Sequence, residues 1–257
     1  GELVDGMYRD GFQCPLADQL MGATAENLAE EFSISREEQD SYAVETQRRC
    51  QQAREENLFA DEIAPVEIPG RKGPTVISVD EHPRDNSNMA SMAKLKPVFK
   101  KEGTVHAGNS SGITDGACAL VLANEEVAKA EGWPILAVVG ASARGGVEPR
   151  RMGMGPVPAI GKLLTQTGAS ISDYDLVEIN EAFAAQVLAC LKEVDIDRDR
   201  LNVHGGSIAL GHPIGATGAR IVTTLIHAAK RRGGGKGMAS LCISGGMGLA
   251  LDLEISS

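Results

Sequence analysis

The pattern after Gly103 constrains the fold more than any other feature. Apolar runs there alternate with helical stretches. Residues 117–123 and 135–139 read as buried strands, 157–167 as a helix, 176–179 as a strand and 182–194 as a helix. A short strand at 201–203, a helix at 214–231 and closing strands at 238–243 and 249–255 complete the series. Unbroken apolar runs separated by helices argue for an α/β region whose sheet is mostly parallel and covered on its faces.

The first hundred residues differ in kind. A short helix is expected over 24–32. Ser35 with Glu38 forms a capping box ahead of a long polar helix over 36–57, whose stripe of Tyr42, Thr46, Cys50 and Ala53 is too thin for a core of its own. Short extended pieces at 63–68 and 75–79 are set apart by Pro69-Gly70 and Lys72-Gly73-Pro74. Lys94, Lys96, Lys100 and Lys101 make a basic run that reads as a solvated face or an anion site. Of 30 glycines, 6 precede residue 101 and 24 follow it, so the opening region is a cap inserted in or appended to the α/β part.

Composition removes several classes. A hydrophobic fraction of 42% with 23% charged residues is that of a globular chain, neither disordered nor collagenous. No apolar run reaches the roughly 18 to 20 residues of a membrane span. A net charge of −10 offers no broad footprint to nucleic acid. The five cysteines, Cys14, Cys50, Cys118, Cys190 and Cys242, are odd in number and scattered, and read as reduced intracellular thiols without a metal site or disulfide framework. The chain opens at Gly1 without methionine, so a missing targeting segment says little.

Three polar residues stand at junctions of the second region. Asn180 follows the 176–179 strand, His212 precedes Pro213 beside a helix start, and Cys242 ends a strand before Ser244-Gly245-Gly246-Met247-Gly248. In open α/β sheets, ligands bind beyond the carboxyl ends of strands. Each residue also has a plain reading, as a cap, a loop histidine and a small buried hydrophobe. Together they are complementary. A helix N-terminus favours the neutral imidazole of a general base, and a cysteine facing a glycine-rich turn can exist as a thiolate and move protons. Free N–H groups of that turn can hold an oxyanion. The glycine clusters at 205–218 and 233–237 match neither a dinucleotide fingerprint nor a P-loop, and no G-x-S-x-G or H-E-x-x-H occurs.

Four stretches in order resemble the thiolase family: Gly103-Thr104-Val105-His106-Ala107-Gly108-Asn109-Ser110-Ser111-Gly112; Asn180-Glu181-Ala182-Phe183-Ala184; Asn202-Val203-His204-Gly205-Gly206 through Gly211-His212-Pro213-Ile214-Gly215; and Cys242-Ile243-Ser244-Gly245-Gly246-Met247-Gly248. The similarity extends to Thr24-Ala25-Glu26-Asn27 and over essentially the whole chain. The resemblance implies a thiolase-like α/β fold and acyl transfer between coenzyme A thioesters, either thiolysis of a 3-oxoacyl-CoA or Claisen condensation of acetyl-CoA. By the same match His212 is the activating base, Cys242 moves the α-proton of acetyl-CoA, and Asn180 holds a water of one oxyanion hole. The Ser244 backbone belongs to the second hole. Arg84 is expected at the nucleotide end of coenzyme A, Ala107 and Ser111 along the pantetheine arm, and Phe99, Met152 and Phe183 as apolar walls. No tightly bound cofactor or metal is implied. A homodimer or homotetramer is, in the cytoplasm, with mitochondrion and peroxisome left open.

The resemblance also divides the chain: 1–103 as a coenzyme A-binding loop domain, 104–133 as the last part of an N-terminal half, and 134–257 as the C-terminal half. The family's acyl-carrying cysteine lies earlier, and none of the five cysteines fits it. The chain is therefore expected to be the C-terminal portion of a thiolase, inactive or poorly soluble alone, with its 117–123 strand and inner sheet face in need of a partner. Two positions depart from the family: Leu20 stands where many thiolases have histidine, and Ser244 where glycine is usual, a residue less tolerant of positive φ. A ketoacyl synthase-type condensing enzyme and a non-catalytic acyl-CoA-binding subunit are the alternatives.

Overall fold

The computed structural model describes residue 1 and residues 3–257. A π-helical turn (Met7–Phe12) leads into a small hairpin of β1 (Gln13–Cys14) and β2 (Gln19–Leu20), then into α1 (Met21–Glu31) and α2 (Arg36–Glu55). The expected capping box opens α2: the Glu38 N–H donates to Ser35 Oγ, and the Ser35 N–H donates to the Glu38 carboxylate at 2.6 Å. Tyr42, Thr46, Cys50 and Ala53 are all buried. The thin stripe suffices because Tyr42 and Ala43 join the core of the second half instead of building one of their own.

An exposed hairpin of β3 (Val66–Ile68) and β4 (Thr75–Ile77) and the single turn α3 (Met89–Met92) complete the opening region. Beyond α4 (Glu125–Ala130) come β5 (Ala137–Gly146), a 3-10 turn (Pro149–Met154), α5 (Pro156–Thr167), β6 (Leu176–Ile179), α6 (Ala184–Glu193), α7 (Ser207–Leu210), α8 (Thr217–Arg231), β7 (Gly235–Ile243) and β8 (Met247–Ile255). No helix of the described residues is long and apolar enough to cross a membrane.

The sheet runs β5-β8-β7-β6. Side chains alternate between its faces. Val177 and Ile179 of β6, Met238 of β7 and Ala250 of β8 pack with Ala159, Ile160 and Leu163 of α5 and with Val187 of α6. Leu176, Ala239, Leu253 and Ile255 face Ile221, Leu225, Ala228 and Ala229 of α8. Helices thus cover both faces along β6, β7 and β8, whereas β5 is largely exposed, with Val139 at 51%, so the stretch expected as a buried strand at 135–139 is not buried; each fully buried aliphatic side chain contributes roughly 1.5 to 3 kcal/mol.

Four further expectations need correction. Only β6 and β7 are parallel, while β5 with β8 and β7 with β8 are antiparallel, so the sheet is mixed, as a thiolase-like fold implies, but mostly antiparallel where mostly parallel was expected. The three-residue turn between β7 and β8 permits nothing else. Residues 117–123 form no strand: no described strand lies alongside them, and Leu120, Val121 and Leu122 are exposed. The 201–203 strand reduces to one bridge, Val177 to Leu201. The helix after His212 begins at Thr217, because residues 213–216 make a separate turn closed by the Ala216 N–H on Pro213 O.

Candidate active site

Asn180 lies one residue beyond β6, and its N–H donates to Ser240 O of β7 at 2.9 Å, carrying the ladder one step past the strand. The alternation of β6 continues through this step. Asn180, like Leu176 and Glu178, is on the α8 face, and Glu181, like Val177 and Ile179, is on the other. Glu181 is fully buried and accepts from Tyr42 Oη at 2.9 Å, Thr46 Oγ1 and Asn202 Nδ2 at 3.0 Å and the Ile208 N–H at 3.2 Å. A buried carboxylate so paired is tolerated, and it ties α2 to the sheet.

On the α8 face, Asn180 Nδ2 lies 3.4 Å from His212 Nε2. The other ring nitrogen, Nδ1, is 2.7 Å from Thr217 Oγ1, whose hydroxyl donates to Pro213 O at 2.8 Å. With that hydrogen committed, Nδ1 carries the ring proton and Nε2 presents its lone pair to Asn180. Burial, helped by the charge of Arg220, pulls the His212 pKa down to about 4. The neutral imidazole expected from a helix N-terminus is therefore present for a different reason, since α8 starts five residues later. The His212 N–H also donates to Gly112 O at 3.1 Å, joining two of the four sequence motifs.

Cys242 is the penultimate residue of β7, paired with Gly248 of β8. It packs in one apolar cluster with Met21, Phe99, Met152, Ala182 and Phe183, which brings together the three residues expected as apolar walls. Phe99 and Phe183 meet edge to face at 6.1 Å. The Phe99 ring lies so close to α1 that a Cβ on Gly22 would run into it, so any larger residue there requires the ring to shift. Burial pushes the Cys242 thiol up to about 12, overriding the help of a backbone N–H. Its resting form is the thiol, not the thiolate that the glycine-rich turn suggested. In that turn Gly245 and Gly246 take positive φ, at 87° and 86°, and Ser244 does not, so serine at 244 fits without strain.

Segment 103–112 closes over this region. The Ser111 N–H donates to Ala182 O at 3.0 Å, the Ala184 N–H to Asn109 O at 2.9 Å, and Ser110 bridges Phe183. Ser111 therefore borders the cluster, with Ala107 exposed on the same segment. Arg84 is exposed, and its backbone N–H donates to Gln47 of α2 at 2.8 Å. Among the described residues, no hydrogen bond joins His212 Nε2 to any cysteine. Cys14, Cys50 and Cys190 are buried, and Cys118, outside any strand, lies 3.3 Å from Thr223 Oγ1.

Sequence reasoning passed over Thr217, Ser207 and Arg220, which all connect to Asn180 or His212. The signal was available for two of them, since Thr217 and Arg220 sit three residues apart in the first turn of the helix that follows His212.

Comparisons with known proteins identify the family. Residues 1–126 match the profile of the thiolase N-terminal domain and residues 133–255 that of the thiolase C-terminal domain. The chain belongs to the thiolase family. It is 50% identical to acetyl-CoA acetyltransferase of Escherichia coli strain K12 over 254 residues, covering 99% of this chain and 64% of the relative. A crystal structure of Bacillus anthracis acetyl-CoA acetyltransferase superposes with a TM-score of 0.96 at 49% identity, covering 99% of this chain and 64% of that one. Human mitochondrial 3-ketoacyl-CoA thiolase in complex with CoA gives a TM-score of 0.95 at 43% identity, covering 100% and 64%. The chain thus spans a little under two thirds of the length of these relatives.

Proposed function

We propose that this chain carries the proton-transfer half of an acyl-transfer site acting on coenzyme A thioesters. The observation that carries the reading is that Asn180, facing His212, and Cys242, in its apolar cluster, both stand at the carboxyl ends of two adjacent parallel strands. In this reading His212 Nε2 is the base for an attacking thiol, and Asn180 Nδ2 with the imidazole stabilises a thioester oxyanion. Cleavage of a 3-oxoacyl-CoA breaks its Cα–Cβ bond and leaves the enolate of acetyl-CoA, which takes a proton on carbon. The protonated resting state of Cys242 suits it as that donor, and the backbone N–H of Ser244 suits the enolate oxygen. Condensation runs the same transfers in reverse. The acyl-carrying sulfur comes from outside the described residues, since His212 meets no cysteine among them.

Residues 1–103 serve as the coenzyme A-binding cap, 104–133 as the end of one thiolase half and 134–257 as the other. Arg84 is assigned to the nucleotide end, Ala107 and Ser111 to the pantetheine arm, and Phe99, Met152 and Phe183 to the walls. A homo-oligomer completes the reading, with acetyl-CoA or a 3-oxoacyl-CoA as substrate. The test is exchange of acetyl-CoA methyl hydrogens with deuterated water, followed by mass spectrometry. Exchange by the chain that falls at least 100-fold in Cys242→Ala is expected, within the usual range for a general acid–base group of about 10² to 10⁴. Exchange indifferent to Cys242→Ala overturns the assignment. Coenzyme A binding without exchange favours the acyl-CoA-binding subunit, a reading supported by the absence, among the described residues, of a cysteine hydrogen-bonded to His212.

A further inference from the structure

Behind Asn180 and His212 lies a run of buried polar groups that the proposed chemistry does not use. Arg220, in the first turn of α8, donates from Nη2 to Ser207 Oγ at 2.9 Å. Ser207 is fully buried at the start of α7, and its hydroxyl donates to Asn180 Oδ1 at 2.6 Å. Asn180 Nδ2 then faces His212 Nε2, and His212 Nδ1 faces Thr217 Oγ1.

The order of donors and acceptors in this run is forced from one end. A guanidinium has five N–H donors and no acceptor, so Ser207 Oγ must accept from it. Ser207 has a single hydroxyl hydrogen, which goes to Asn180 Oδ1. That fixes an amide whose two ends are otherwise nearly the same shape, and turns Nδ2 toward the imidazole. Nδ2 can only donate, so His212 Nε2 must hold a lone pair, and the ring proton goes to Nδ1. From the other end, Thr217 gives its hydrogen to Pro213 O and can only accept from Nδ1. Both ends demand the same tautomer.

We infer that Arg220 and Ser207 are positioning residues for the reaction, a donor-only anchor and a one-hydrogen relay that set the hydrogen-bond direction through Asn180 and keep the His212 Nε2 lone pair facing the reacting side. The placement of Arg220 suits the role. Burial raises the nearby Glu178 to about 8 and Glu62 to about 7, and the Arg220 charge favours the ionised form of both, with a Thr224 hydrogen bond acting the same way on Glu62. Among the described residues, Arg220 Nε and Nη1 are buried with no hydrogen-bond partner, so the contact to Ser207 is the one its fork directs at the site. The inference rests on the roles proposed above for Asn180 and His212.

The test is the tautomer itself. In the ¹⁵N-histidine-labelled chain, with His212 assigned by loss of its signals in His212→Asn, the parent should show one protonated nitrogen, Nδ1, and one bare nitrogen, Nε2, at neutral pH. In a Thr217→Val background, where only the Asn180 end is left to set the tautomer, Ser207→Ala should move the two nitrogens toward a shared intermediate shift as both tautomers become populated. Arg220→Gln, whose amide can donate or accept, should do the same, and Arg220→Lys, which still only donates, should restore the parent pattern. In the deuterium-exchange assay Ser207→Ala should lower kcat about tenfold with KM unchanged, the equivalent of one hydrogen bond. A Ser207→Ala, Thr217→Val chain with parent circular dichroism and a single Nδ1–H tautomer overturns the inference. If Arg220→Gln fails to fold, Ser207→Ala alone decides. A parent chain with the locked tautomer but no exchange refutes the acyl-transfer reading and leaves the relay standing, whereas exchange as fast in Ser207→Ala as in the parent refutes the relay alone.

Discussion

Residues 176–179 and 117–123 are two apolar runs with opposite fates. The first, Leu-Val-Glu-Ile, is β6, with Leu176, Val177 and Ile179 no more than 2% exposed. The second, Ala-Cys-Ala-Leu-Val-Leu-Ala, is longer and has no charged residue, yet Val121 is 95% exposed and Leu122 79%. What separates them is neighbours. β6 has β7 on one side, a bridge to Leu201 on the other and helices over both faces. The 117–123 run has no strand beside it among the described residues, so its backbone ladder is unmade. An apolar run records a capacity for burial, and the surrounding chain decides whether that capacity is used.

The largest effect expected from this contrast is at Ile179. Ile179→Ala removes a side chain that is 1% exposed between β7 and the helices, and should cost about 2 to 5 kcal/mol in urea unfolding. A loss under about 1 kcal/mol would mean that β6 is no better packed than the exposed run.

Glu178, the one charged residue of the buried run, gives an effect of intermediate size. Burial, opposed by Arg220, raises its pKa to about 8, and burial likewise raises Glu62 to about 7. The folded chain therefore binds more protons than the unfolded chain between the ordinary carboxylate pKa and about 8, and stability falls as pH rises through that window. The buried histidines have lowered pKa values and act in the opposite direction, but only below about pH 6.5, where the unfolded chain takes up protons. Above that, the slope belongs to the two carboxylates, at up to ~1.4 kcal/mol per pH unit for each. Glu178→Gln should flatten stability measured between about pH 7 and about pH 8, the upper part of the Glu178 window. An unchanged slope would remove Glu178 as its source.

The smallest effect is expected at Val121. Val121→Ser should leave the unfolding midpoint within about 0.5 kcal/mol of the parent, as for any surface position. A loss above about 1 kcal/mol would show the run covered in solution and would end the contrast.

Much of this organisation was legible in the residues. The capping box of α2, the helix over α5 and the strands β6, β7 and β8 follow from periodicity and punctuation, and Asn180, His212 and Cys242 from their places at junctions. The run at 117–123 was read as a strand from its apolar content and forms none, while its exposure is what the resemblance implied for a strand in need of a partner. The direction of the sheet was misread because a run of residues does not say which neighbour it pairs with. The Cys242 thiolate was misread because glycine N–H groups are visible in sequence and the apolar wall of Phe99, Met152 and Phe183 around the sulfur is not. Ser207 was invisible for the same reason, since its partner Asn180 lies 27 residues earlier.

Asn180 and Glu181 are consecutive, yet one faces His212 and the other faces α2. A single peptide unit thus separates the amide of the candidate site from the carboxylate that holds the cap helix. Any sliding of α2 that drags Glu181 through Tyr42 and Thr46 reaches Asn180 with no intervening residue to absorb it. The candidate site and the anchor of α2 therefore share one stretch of backbone.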